Sequence, residues 1–124
     1  MHTEHVLFLE DDRIGAAVNC IELRECGWNV VEAHSSADAY SIIDKREPLT
    51  ALVTDANLGP GADGFATARY ARAAYPDLKV IHMSALGILR YAAERVSGSE
   101  FVAKPFEPAA IRRALARVGR HAVS

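Results

Sequence analysis

Four acids, a hydroxyl and an ammonium stand out because each closely follows a short apolar run. Glu10, Asp11 and Asp12 follow Val6-Leu7-Phe8-Leu9, and Asp55 follows Leu49 to Thr54. Ser84 follows Lys79 to Met83, and Lys104 follows Glu100 to Ala103. Brought to one edge, the acids form an unbalanced set. Two carboxylates about 4 Å apart repel by about 4 kcal/mol at an effective dielectric of about 20. A shared proton, a lysine or a hard cation relieves that repulsion. Lys104 supplies one positive charge. Mg2+ (or Mn2+) suits the remainder, because it takes oxygen ligands from one or two carboxylates together with phosphate oxygens and water. A carboxylate beside such a cation is a nucleophile for phosphorus, and aspartyl phosphate is a known product of that attack. Metal and lysine would neutralise charge building on the phosphoryl oxygens, and the Ser84 hydroxyl would bond one of them.

These groups meet only if the apolar runs are neighbouring strands pointing the same way. The chain reads as such an alternation. Val6 to Leu9 is a strand bounded by polar residues, as in a strand buried on both faces. Ile14 to Cys26 has Ile14, Ala17, Val18, Ile21 and Leu23 near helical spacing, and Gly27 stops it. Trp28 to Ala33 is a second strand. Ser35 or Ser36 caps a helix through Asp44, with Ala37, Tyr40, Ile42 and Ile43 as its apolar positions. Leu49 to Thr54, Lys79 to Met83 and Glu100 to Ala103 complete the strands. Helices are predicted from about Gly64 to Tyr75 and from Pro108 to about His121, the latter with Ile111, Leu115 and Val118 on one face. Ala85 to Val96 is only weakly helical and reads as a short or irregular helix. Crossovers of this length permit parallel pairing, so the fold class is α/β: a doubly wound five-stranded parallel sheet with helices on both faces. Sites in such sheets form at the carboxyl ends of the strands, where these polar residues stand.

The 124 residues amount to one domain, spanning 1–124, with His121 to Ser124 expected to fray. Half the residues are apolar and 24% are charged, enough for a packed core. Fourteen basic residues against sixteen acidic ones give a net charge of -2, which argues against bulk nucleic-acid binding. No apolar run reaches the roughly 18 residues a membrane span needs, and no signal peptide opens the chain. Cys20 and Cys26 make no disulfide framework or metal knuckle, and a reduced, cytoplasmic setting fits them.

The motifs in order resemble a receiver domain of two-component response regulators over essentially the whole chain. They are Val6 to Asp12, Leu52 to Leu58, Asp63-Gly64, His82 to Ala85, and Phe101 to Phe106. Each is weak alone; their order and placement at strand ends make the signal. The resemblance implies that Asp55 is the phosphoacceptor. It implies Asp11 as the direct metal ligand, Glu10 acting through water, and Asn57 giving its backbone carbonyl. Ser84 and Lys104 would contact the phosphoryl group, Phe101 would be the aromatic switch, and Lys104–Pro105 is a cis-peptide candidate. The implied donor is a sensor histidine kinase or a histidine phosphotransfer protein. The protein would be a signalling phosphoacceptor rather than an enzyme, acting by surface contact with no output domain and open to homodimer formation. Two departures stand out: the Ser84 to Lys104 interval is slightly short, and the fourth helix is weak, which bears on the output face.

Other features read more plainly. Gly59-Pro60-Gly61-Ala62-Asp63-Gly64 spells a dinucleotide-type GxGxxG, but it lies well past its strand and no acid ends the next one. The glycines shape a turn, with Asp63 near a helix start. Asp12, a third acid, reads as the solvent-side neighbour of the metal pair with an added helix-capping role. The five histidines have no ligand spacing. Arg112, Arg113, Arg117 and Arg120 make the last helix basic: a solvated face, or a docking surface for an acidic partner. Two rival functions remain, a phosphorylation-independent docking or dimerisation module and a Mg2+-dependent phosphohydrolase. The latter uses a second Asp two residues after its nucleophile, where this chain has Asn57.

Overall fold

The computed structural model describes residues 4–56, 63–84, 88–104 and 108–117. Asn57, Pro105, the glycine turn at Gly59 to Ala62, and Val118, Arg120 and His121 lie outside the described residues. The elements alternate as expected: β1 (His5–Leu9), α1 (Arg13–Glu25), β2 (Asn29–Ala33), α2 (Ser36–Asp44), β3 (Ala51–Asp55), α3 (Gly64–Ala74), β4 (Lys79–Ser84), α4 (Ile88–Glu94), β5 (Glu100–Ala103) and α5 (Pro108–Arg117). All pairings are parallel, in the order β2-β1-β3-β4-β5. The order reverses between β1 and β3, so a crevice opens at their carboxyl ends.

The period of two along each strand divides the core into two layers. Val6, Phe8, Val53, Ile81, Met83 and Val102 face α1 and α5, where they meet Cys20, Leu23, Ile111 and Leu115. Leu7, Leu9, Leu52 and Val80 face α2 and α3, meeting Ile43, Ala68 and Ala71. Every residue of β3 is buried, as a central parallel strand requires.

Local chemistry sets the helix ends. The Asp12 carboxylate accepts from the Ile14 amide, the Ser35 hydroxyl from Asp38, and the Asp63 carboxylate from Ala66. Gly27, at φ +97°, ends α1: its amide donates to the Arg24 carbonyl and the next amide, Trp28, to the Leu23 carbonyl.

Two expectations need correction. Of the apolar positions read on α1, Leu23 lies on the buried face and Ile14, Ala17, Val18 and Ile21 do not. Ile14, Val18 and Ile21 are 80%, 49% and 56% exposed, while Ala16, Asn19, Cys20 and Leu23 are buried. Small residues line the packed side and let the helix lie close to the sheet. On α2, Ala37 is exposed, and Ala39 and Ile43 carry the burial. The weak fourth helix is short, as expected. Its end is secured from α3: the Arg69 guanidinium donates to the Glu94 carbonyl at 3.3 Å and that of Arg72 to the Ser97 carbonyl at 2.7 Å. Of the two cysteines, Cys20 is buried and Cys26 exposed.

Candidate functional site

The sheet brings the polar strand ends together. Glu10 leaves β1, Asp55 and Ser84 close β3 and β4, and Lys104 follows β5. The Lys104 amide donates to the Ser84 carbonyl at 2.9 Å, continuing the β4–β5 pairing by one residue. That bond sets the lysine side chain toward the crevice. Its Nζ lies 2.6 Å from Glu10 Oε1 and 3.0 Å from Asp55 Oδ2. Glu10 and Asp55 are buried, Asp11 is exposed, and carboxylate oxygens of all three lie within 4.8 Å of one another. Ser84 is buried beside them on the neighbouring strand. Phe101 is half-buried on β5 against the Tyr91 ring, with centroids 5.1 Å apart.

The electrostatics follow from burial. Desolvation pushes the Glu10 carboxyl up to about 7. A hydrogen bond with Asp55, which two carboxylates make only by keeping a proton, adds to that rise, and Lys104 opposes it. Burial alone would lower the Lys104 ammonium, but its bonds to Glu10 and Asp55 outweigh this and raise it overall. Lys104 thus meets part of the carboxylate repulsion, and burial beside Asp55 pushes Glu10 towards keeping a proton. The all-oxygen, three-carboxylate cluster is the donor set a hard divalent cation takes.

Removing the lysine should therefore be costly. Breaking a buried ion pair costs about 3–5 kcal/mol, and a quarter-exposed partner warrants a discount, so Lys104→Met is expected to lose about 2 kcal/mol in metal-free buffer at pH 7.5. Urea melts with and without Mg2+ check this, with the deficit shrinking when Mg2+ is present.

Of the residues read from sequence, Glu10, Asp11, Asp55, Ser84 and Lys104 converge on one pocket, and Phe101 lies one strand away. Three contacts were not read from the sequence. Gly64 packs directly on the Asp55 backbone. The His34 ring bonds the Glu10 carbonyl. His82 is enclosed between the rings of Phe65 and Tyr91. Gly64 stood in the Asp63-Gly64 motif without its contact being read, and His82 left a trace as a polar residue at an inward position of an otherwise apolar strand.

The doubly wound sheet and the acids and lysine at its switch point are those that the receiver resemblance implies. The chain belongs to the response regulator receiver domain family, whose model matches residues 6–116. It is 33% identical over 120 residues to the response regulator protein FleR of Pseudomonas aeruginosa, covering 95% of this chain and 24% of that protein. The chain therefore spans about a quarter of that relative's length. Among solved structures it is similar to a response regulator receiver protein from Sinorhizobium medicae WSM419, with a TM-score of 0.90 at 24% identity over 95% of each chain. It also superposes on the chemotaxis protein CheY4 of Vibrio cholerae, with a TM-score of 0.84 at 21% identity over 94% of this chain and 99% of that one. These likenesses agree with the parallel five-stranded fold. Among the described residues, no helix is long and apolar enough to cross a membrane.

Proposed function

We propose that this receiver accepts a phosphoryl group on Asp55 from a phosphohistidine of a sensor histidine kinase or histidine phosphotransfer protein, in the cytoplasm. The observation that carries this reading is the Asp55 carboxylate itself: buried at the switch point, 3.0 Å from a lysine ammonium and clustered with two further acids. An oxygen of Asp55 attacks phosphorus and the partner's imidazole leaves. Lys104, already beside that carboxylate, pairs with the incoming phosphoryl oxygens, and the Ser84 hydroxyl donates to another. Asp11 and Asp55, with Glu10 through water and the Asn57 carbonyl, would hold Mg2+, which when bound supplies positive charge to the phosphoryl oxygens. Repacking of Phe101 against Tyr91 would carry the change to the α4 and β5 surface. The chain's own chemistry extends at most to its own phosphorylation and dephosphorylation.

The exposed side of α1 supports a helical donor. Ile14, Val18 and Ile21 recur at helical spacing along one solvent face, and Ile14 stands just past the acid pair. An apolar helix laid on this stripe would have one end over Asp55.

The test is direct. With Mg2+ and a small acyl phosphate, the intact protein should gain the mass of one phosphoryl group. Asp55→Asn should gain none, and a chelator should suppress labelling of the parent. Equal labelling of Asp55→Asn and parent would remove Asp55 from this role.

A further inference from the structure

We propose that His34 is a positioning residue for the Glu10–Asp11 acid pair, an inference resting on the reading of that pair as the cation-binding end of the pocket. His34 follows β2, one residue past the last β1–β2 pairing. Its Nδ1 lies 3.0 Å from the Glu10 carbonyl oxygen. A carbonyl only accepts, so Nδ1 carries the hydrogen. On the other side of the same residue, the Glu10 amide donates to the Ala33 carbonyl at 3.1 Å. The Glu10 backbone is thus held at both its donor and its acceptor by consecutive residues of one strand end.

The consequence falls on Asp11. The Glu10 carbonyl and the Asp11 amide share one rigid peptide plane. Fixing the carbonyl oxygen fixes the direction in which Asp11 sets out. Asp11 is exposed, and among the described residues no side-chain bond steadies its carboxylate. Its placement within 4.8 Å of the Glu10 and Asp55 oxygens therefore depends on the backbone. The His34 backbone is held in turn, its amide donating to the Asp38 carboxylate at 3.4 Å. The ring is only 19% exposed. Partners that orient metal ligands in this way typically change affinity by about 10–100-fold when removed.

Calorimetric titration with Mg2+ tests the assignment, using parent, His34→Leu and His34→Asn. Asparagine places an amide N–H as many bonds from the backbone as Nδ1, whereas leucine offers no donor. His34→Leu should weaken Mg2+ binding about tenfold, His34→Asn should recover most of it, and all three should melt alike without Mg2+. Should leucine prevent folding, His34→Ser, too short to reach, takes its place with the same expected loss. Parental affinity in the leucine or serine variant would overturn the proposal. So would equal weakening in asparagine and leucine, or a fall in melting temperature that parallels the loss of affinity. A parent that shows no saturable Mg2+ binding would instead sink the cation-site reading beneath it.

Discussion

Gly64→Ala is expected to destabilise the protein by about 3 kcal/mol or more and to slow phosphorylation of Asp55 in the folded fraction. A methyl group at Gly64 would fall 1.9 Å from the Asp55 carbonyl oxygen, 2.8 Å from its carbon and 2.9 Å from the Ala56 Cα. All three are backbone atoms of the central strand and its exit, so no side-chain rotation relieves the overlap. Either α3 backs away from the sheet or the end of β3 shifts. The first opens the packing of Phe65 and Ala68 and strains the 3.1 Å bond from the Gly64 amide to the Ala56 carbonyl. The second displaces the residue that bears the candidate phosphoacceptor. Urea denaturation would give the stability, and mass labelling with a small acyl phosphate the site effect. A loss within 0.5 kcal/mol, the ordinary range for a neutral surface change, would mean that α3 does not start against β3.

Acid should destabilise the protein through His82, by up to about 3 kcal/mol between pH 6.5 and pH 4. The ring is fully buried, and neither nitrogen has a hydrogen-bond partner among the described residues. Burial first, then the charges of Arg69 and Arg72, lower it from 6.5 to about 4, with Asp63 pulling weakly the other way. The unfolded chain therefore binds a proton that the folded chain refuses across this interval. Stability rises with pH there and is lost as pH falls through 6.5 towards 4. Glu10, raised to about 7, acts in the opposite sense, because its folded state keeps a proton that the unfolded state releases. The comparison is thus made between the parent and His82→Leu, which share Glu10. The stability difference should swing towards the variant by up to about 3 kcal/mol on going from pH 7 to pH 4. A difference that does not change with pH would show that the imidazole is accessible to protons in the folded state.

The contrast between Asp12 and Ile14 shows where sequence reading works and where it stops. Caps are local: Asp12 and Ser35 bond amides only a few residues on, so side-chain type and position were enough. The polar strand ends were legible for a related reason, since a charged residue after a buried apolar run has to emerge at an edge. The side on which α1 packs is not local. Ile14, Val18 and Ile21 suggest one face, but of the apolar positions read there only Leu23 is buried, beside Ala16 and Cys20. Where α1 lies against β1 and β2, Ala16 and Cys20 leave room that larger side chains would not, and a hydrophobic count has no measure of clearance. The extent of α4 was obscure because part of what holds it lies on α3, in Arg69 and Arg72. The His34 and Gly64 contacts span separate strands and helices, and neither residue type announces them.

The two ends of α3 have complementary tasks. At its start, Gly64 lies so close to the sheet that the helix and the Asp55 carbonyl cannot move independently. Further along, Arg69 and Arg72 grip the carbonyls that close α4. From Gly64 to Arg72 is about 12 Å of helix at about 1.5 Å per residue. A helix is stiff along its axis, so a shift of the β3 terminus that moves Gly64 would also move the two arginines that hold the close of α4. Substitution of Tyr70, the exposed residue between the two arginines, should then leave this coupling intact, whereas shortening either grip should weaken it.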